Sequence, residues 1–293
     1  FVWNGREFDE KRAEARRAMI RTAEATLSCK FDGEPLIVGT SGRYEFRNKG
    51  IDIFLDALKQ LAETDALDRE VLVYITVPSA TTGPRKDLQA HLADENSPID
   101  PKQNRFCTHY LEHPEWDQIL NSIAGSVLAN PSSKVKVVFV PTYLNGRDGI
   151  FDKSYYELLV GMDMTLFPSY YEPWGYTPLE STAFSVPTLT TTLAGFGLWA
   201  GSQGEHEGVT LVARNDDNYA EAAREIAKAL LHFTKYTPQE VEIARNAAAE
   251  LSRTALWSEL YAAYEKVYSE AIERSVTRTN RAVLNDGGGA TEQ

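Results

Sequence analysis

The residues best suited to chemistry in this chain are four charged side chains in two glycine-punctuated loops. Glu172 and Glu180 stand eight positions apart and bracket Pro173-Trp174-Gly175-Tyr176-Thr177-Pro178, a string that neither a helix nor a strand carries easily. Arg43 and Lys49 fall in Thr40-Ser41-Gly42-Arg43-Tyr44-Glu45-Phe46-Arg47-Asn48-Lys49-Gly50. A guanidinium and an ammonium in such a loop could clamp a diphosphate, the first by its fork and the second as a point charge. Each group also has a plainer use. Two loop cations are usually solvated, and Asn48-Lys49-Gly50 also reads as a helix entry. Thr177 as N-cap, Pro178 at the first helical position and Glu180 three residues after Thr177 make a capping box. Glu172 stands before a proline, where the chain is extended, and has no such use. Trp174 and Tyr176 are costly to leave exposed without a purpose.

These loops need elements to hold them. Residues 9–28 carry apolar side chains at Ala15, Met19, Ala23 and Leu27, the spacing of an amphipathic helix. Leu36-Ile37-Val38-Gly39 reads as a buried parallel strand, and Ile51–Leu61 as a helix. Further strands are expected at Val71–Val77, Lys134–Val140, Met164–Phe167, Pro187–Thr190 and Val209–Val212. Helices are expected at Trp116–Leu128, at Ser154–Gly161 and from Asn218 onward, with a break at Thr237-Pro238. The polar stretch of roughly 79–105 reads as a long loop. Such alternation defines an α/β fold with a doubly wound parallel sheet, in which ligands bind beyond the carboxyl ends of the strands. Both charged loops follow predicted strands and are expected to face one crevice. The second precedes a predicted helix, whose N-terminal N–H groups and dipole favour phosphate.

Bulk properties narrow the partners. The 293 residues have 43% hydrophobic and 25% charged content, ordinary for a soluble globular chain. A net charge of −12 argues against a nucleic-acid surface, and no apolar run is long enough for a membrane helix. Cys29 and Cys107 make neither a disulfide framework nor a metal spacing and are expected to be reduced, buried thiols. His109 is expected to be structural, the other four histidines are expected at the surface, and nothing suggests a metal site. The start at Phe1-Val2-Trp3 reads as a cut from a longer protein.

Gly42-Arg43-Tyr44-Glu45-Phe46 with Asn48-Lys49-Gly50, and Phe167 through Pro178, resemble the glycogen synthase family of the fungal and animal type. Cys107-Thr108-His109, Asp117-Gln118-Ile119-Leu120, Val135-Lys136-Val137, Thr190-Thr191-Thr192 through Gly195-Phe196-Gly197, and Arg245-Asn246 with Leu251-Ser252 and Trp257 follow the same order, so the likeness spans roughly residues 36–265. The resemblance implies a Rossmann-like, C-terminal nucleotide-sugar-binding domain over residues 1–276. It would be half of a retaining GT-B glycosyltransferase whose N-terminal domain is absent, and a disordered tail is expected over 277–293. It implies glucose transfer from UDP-glucose or ADP-glucose to the 4-hydroxyl of an α-1,4-glucan, without cofactor or metal, in the cytoplasm. Homo-oligomers are left open.

By the same resemblance, Arg43 and Lys49 stabilise the departing diphosphate and Glu172 lies near the transferred sugar. Glu180 contacts the ribose, Tyr155 stacks on the base, and Trp174, Gly175, Tyr176 and Thr177 line the sugar–phosphate pocket. The family's arginine cluster for glucose 6-phosphate is thin here, so activation by that sugar phosphate is expected to be absent. The rival reading is a non-catalytic sugar-nucleotide or glucan-binding module that kept the fold. A dinucleotide oxidoreductase is disfavoured, since no G-x-G-x-x-G follows the first strand.

Overall fold

The computed structural model describes residues 5–204 and 206–286. In chain order the elements are α1 (Gly5–Leu27), β1 (Leu36–Ser41), α2 (Ile51–Ala62), β2 (Val71–Thr76), β3 (Thr81–Pro84), α3 (Lys86–Ala93), β4 (His109–Leu111), α4 (Gln118–Ala124) and β5 (Val135–Val140). There follow α5 (Tyr155–Leu159), β6 (Met164–Phe167), α6 (Tyr176–Ala183), β7 (Thr188–Thr191), α7 (Gly195–Ser202), β8 (Val209–Val212), α8 (Tyr219–Phe233), α9 (Pro238–Arg253) and α10 (Trp257–Asp286).

Six strands form one parallel sheet in the order β5-β2-β1-β6-β7-β8. The β-branched runs are continuous rather than alternating because both faces are covered. Val38, Val73 and Val137 join α2 and α8 residues such as Phe54, Leu58, Ile226 and Leu230 in one core. Their neighbours Ile37, Leu72 and Val138 point the other way and pack with Met19 and Leu159. Each such buried side chain contributes about 1.5–3 kcal/mol. The chain builds outward from β1 through β2 to β5, then returns to β6 beside β1 and builds outward again. The strand order therefore reverses between β1 and β6, which places the crevice of a doubly wound sheet at that seam.

A charge cluster fixes α1 to the base of that seam. Asp163, just before β6, accepts from Ile37 N–H at 2.8 Å, from Arg16 Nη1 at 2.8 Å and from Arg12 Nη2. Arg12 also donates to the carbonyls of Val160 and Met162, and Arg16 to those of Gly161 and Pro35. Burial alone would raise the Asp163 carboxyl, but the guanidinium groups of Arg12 and then Arg16 outweigh it and hold it below the usual carboxylate range.

The stretch 79–105 is more ordered than its polarity suggests. It contains β3, which pairs antiparallel with β4, and α3. The organiser is Arg85, 1% exposed, which donates to Asp87 Oδ2 at 2.6 Å and to the carbonyls of Asn104 and Cys107. A buried guanidinium with four hydrogen bonds organises this stretch in place of an apolar core. The expected helix at Trp116–Leu128 is shorter, with Asp117 capping α4 by accepting from Leu120 N–H at 2.9 Å. His109 is buried between the Thr108 hydroxyl and the Asp148 carbonyl, in keeping with a structural histidine. Cys107 is buried, which pushes its thiol up to about 12, whereas Cys29 is only half-buried.

By its internal contacts the chain divides into two units, Phe1–Leu251 and Ser252–Gln293. In the second unit, α10 carries exposed Trp257, Tyr261, Tyr264 and Tyr268. It runs through residues 277–286 of the segment expected as a disordered tail, and the remainder of that tail lies outside the described residues. Among the described residues no helix is long and apolar enough to cross a membrane.

Candidate functional site

At the seam between β1 and β6, the loops that follow these strands interlock. Tyr170 N–H donates to the Asn48 carbonyl at 2.8 Å. Gly50 adopts φ 69° and a Cβ there would lie 1.9 Å from the Pro168 carbonyl oxygen, so only glycine lets the two backbones meet. Buried Arg214 donates to that same Pro168 carbonyl and lies 5.2 Å over the Tyr170 ring. The loop after β7 joins from the other side. Gly195 N–H donates to the Glu172 carbonyl at 3.0 Å, Glu172 N–H to the Leu193 carbonyl at 3.3 Å, and Phe196 N–H to the Trp174 carbonyl at 2.6 Å. Gly50 and Gly195 lie in motifs legible in the sequence, but their close approaches are not legible there, and Arg214 had no signal beyond its residue type, because the partners are far away in the chain.

The side chains of Lys49 and Glu172 form an ion pair across the seam, 17% and 21% exposed. Arg43 is not part of it. Its guanidinium is 75% exposed and pairs with Glu45 at 3.0 Å, within its own loop.

The start of α6 departs from the expected capping box. Gly175, at φ 109°, is the N-cap, and no side chain caps the helix. Thr177 and Pro178 thus lie inside the first turn, and Pro178 has no N–H to donate. The N–H groups of this uncapped turn and the helix dipole favour an anion. Glu180 is released from the box. It accepts from the Tyr156 hydroxyl at 2.9 Å, and burial, partly offset by that hydrogen bond, raises its carboxyl above the usual range. Trp174 is half-buried, with its ring 6.1 Å from Phe196 and 5.7 Å from Trp199, so its side chain braces the loop while its backbone stays at the seam. Tyr176 is 71% exposed.

Tyr155 lies at the end of β1, where its hydroxyl accepts from Ser41 Oγ at 2.8 Å and burial pushes its ionisation up. Tyr156, which has no signal in the local sequence, is the more exposed of the pair.

On α9, Arg245 is buried 4.8 Å over the Phe8 ring, and among the described residues neither of its Nη atoms has a hydrogen-bond partner. Burial, then the nearby charge of Arg12, pushes its ionisation down to about 9. The cations that α1 brings close to this helix are more than 200 residues away in the chain and leave no local pattern in its sequence.

The fold and the seam together define a doubly wound α/β protein with an ion pair and a helix start without a side-chain cap at its switch point. The family model described as "Glycogen synthase" matches residues 85–287. The chain belongs to the glycogen synthase family. It is similar to the Glycogen [starch] synthase of Neurospora crassa, at 28% identity over 84% of this chain and 43% of that protein. It is also similar to the Glycogen [starch] synthase of Caenorhabditis elegans (28%, covering 80% of this chain and 43% of the relative) and to the human liver Glycogen [starch] synthase (28%, covering 82% and 42%). The chain thus spans less than half the length of these relatives.

Proposed function

We propose that this chain is the donor-binding, C-terminal half of a retaining GT-B glucosyltransferase of the glycogen synthase type. The whole protein would move glucose from UDP-glucose or ADP-glucose to the 4-hydroxyl end of an α-1,4-glucan in the cytoplasm, its N-terminal domain supplying much of the acceptor site. The observation that carries the reading is the Lys49–Glu172 pair, which joins the loops after β1 and β6 at the switch point.

In this reading the bond between the sugar's anomeric carbon and the diphosphate oxygen breaks, and the electron pair leaves with the diphosphate. Lys49, the N–H groups at the start of α6 and Arg43 receive that charge, the last after turning from Glu45. Fixed cations and backbone dipoles do this without cofactor or metal. Glu172 leaves Lys49 and faces the positive charge that develops on the sugar ring. The new bond forms from the glucan 4-oxygen on the face the diphosphate leaves, so configuration is retained, and the hydroxyl proton passes to the departing phosphate. Glu180 accepts from the ribose, Tyr155 takes the base, and Trp174, Gly175, Tyr176 and Thr177 line the pocket between.

The test is transfer by the full-length protein that contains this chain, with each donor and glycogen, and with the anomeric linkage read by proton NMR. Chain elongation through α-linkages, abolished by Lys49→Ala, supports the reading. No transfer from either donor, or β-linked product, contradicts it.

A further inference from the structure

Glu180 and Phe184 are four residues apart, on one face of α6 and its C-cap. Tyr156 lies over both. Its ring stacks on Phe184 with centroids 5.0 Å apart and planes 9° from parallel, while its hydroxyl donates to Glu180 Oε1 at 2.9 Å. The tyrosine itself is held from behind. Ser154 caps α5 in a complete capping box with Glu157, which fixes the turn that carries Tyr155 and Tyr156. The Tyr155 and Tyr156 rings meet edge to face with centroids 5.5 Å apart, and Tyr155 is tied through its hydroxyl to Ser41. A wall of Ser41, Tyr155, Tyr156 and Phe184 therefore runs from the end of β1 to Glu180.

We infer that Tyr156 is a positioning residue, which locks Glu180 by one oxygen so that the other is presented to the paired hydroxyls of a ribose. This rests on the reading of Glu180 given above and deepens it. An ionised carboxylate offers about four lone-pair sites, and Tyr156 occupies one of them. The hydrogen bond stops rotation about the terminal bond of Glu180 before any ligand arrives, so ordering that side chain is not charged against binding. A purely structural tyrosine in this place would be served by its ring alone, since the stack on Phe184 does not involve the hydroxyl.

The experiment uses Tyr156→Phe, which keeps the ring and removes the hydroxyl. Calorimetry compares UDP with 2′,3′-dideoxy-UDP on the full chain, for the wild type, Tyr156→Phe, Glu180→Gln and the double variant. The wild type is expected to prefer UDP about tenfold, the strength of a hydrogen bond to a charged group. Tyr156→Phe should lose most of that preference with its dideoxy-UDP affinity unchanged, and should add nothing to Glu180→Gln. Equal weakening of both ligands by Tyr156→Phe, or no change in preference while Glu180→Gln abolishes it, overturns the inference but leaves Glu180 in its role. An unchanged preference in Glu180→Gln removes the role of Glu180 and the inference with it.

Discussion

Lys49 and Glu172 are 123 residues apart in sequence, yet their side chains pair where the loops after two neighbouring parallel strands meet. The pairing has a consequence for variants. A diphosphate must compete with Glu172 for the ammonium. Glu172→Gln is therefore expected to bind UDP as tightly as the wild type or more tightly, while glucosyl transfer by the full-length protein falls by about 10²–10³-fold, the scale of one removed charge-stabilising group. Parallel calorimetry and turnover assays check this, and weakened UDP binding in Glu172→Gln would count against the competition.

Gly50→Ala should destabilise the fold and separate the loops. Its φ is in the left-handed region and its Cβ would overlap the Pro168 carbonyl, at a cost of at least about 3 kcal/mol. Gly125→Ala is the control, with φ −87° and the nearest atom 3.6 Å away. Chemical unfolding of both variants should show a large loss in the first and almost none in the second.

Asp163 gives stability a pH signature. Its folded carboxyl is held below its unfolded value, so its stabilisation is complete above the unfolded value of about 4 and is lost as pH falls through the folded one. Asp163→Asn should cost about 3 kcal/mol near neutrality, because it leaves Arg12 without its carboxylate and Arg16 with Glu34 alone. Urea unfolding should therefore show the variant losing less stability than the wild type between pH 5 and 3, values that bracket the usual carboxylate range. Equal acid losses in the two proteins would rule this account out.

Much of this was legible in the sequence, and what was not has physical reasons. Continuous β-branched runs announce strands covered on both faces, so Leu36–Gly39 and Met164–Phe167 could be placed and their loops assigned to one crevice. Local capping rules misplaced the start of α6, because Thr177 and Pro178 fit an N-cap and first-turn pattern while the chain uses the positive φ of Gly175. The order within 79–105 hung on one buried guanidinium, and the Tyr156–Glu180 bond links residues 24 apart. Neither leaves a local pattern. The thiol of Cys29 was expected to be buried and is only half so.

Glucose 6-phosphate is expected to leave the rate of the full-length protein unchanged within about twofold, below the usual range of allosteric coupling. Arg12 and Arg16 are already engaged by Asp163, and of the two arginines on α9 only Arg245 is buried with nitrogens unpartnered among the described residues, Arg253 being exposed at the helix end. One guanidinium provides few of the charge-assisted bonds that a sugar phosphate needs. A large rise in rate on adding the sugar phosphate, abolished by Arg245→Ala, would reverse this conclusion.

The central claim is that the β1–β6 seam receives a nucleoside diphosphate. Isothermal calorimetry of this chain with UDP, ADP and NAD tests it most directly. The account predicts micromolar binding of at least one diphosphate and none of NAD, with Lys49→Ala weakening the diphosphate by about tenfold or more. Absence of binding by any of the three, or diphosphate binding untouched by Lys49→Ala, would contradict it.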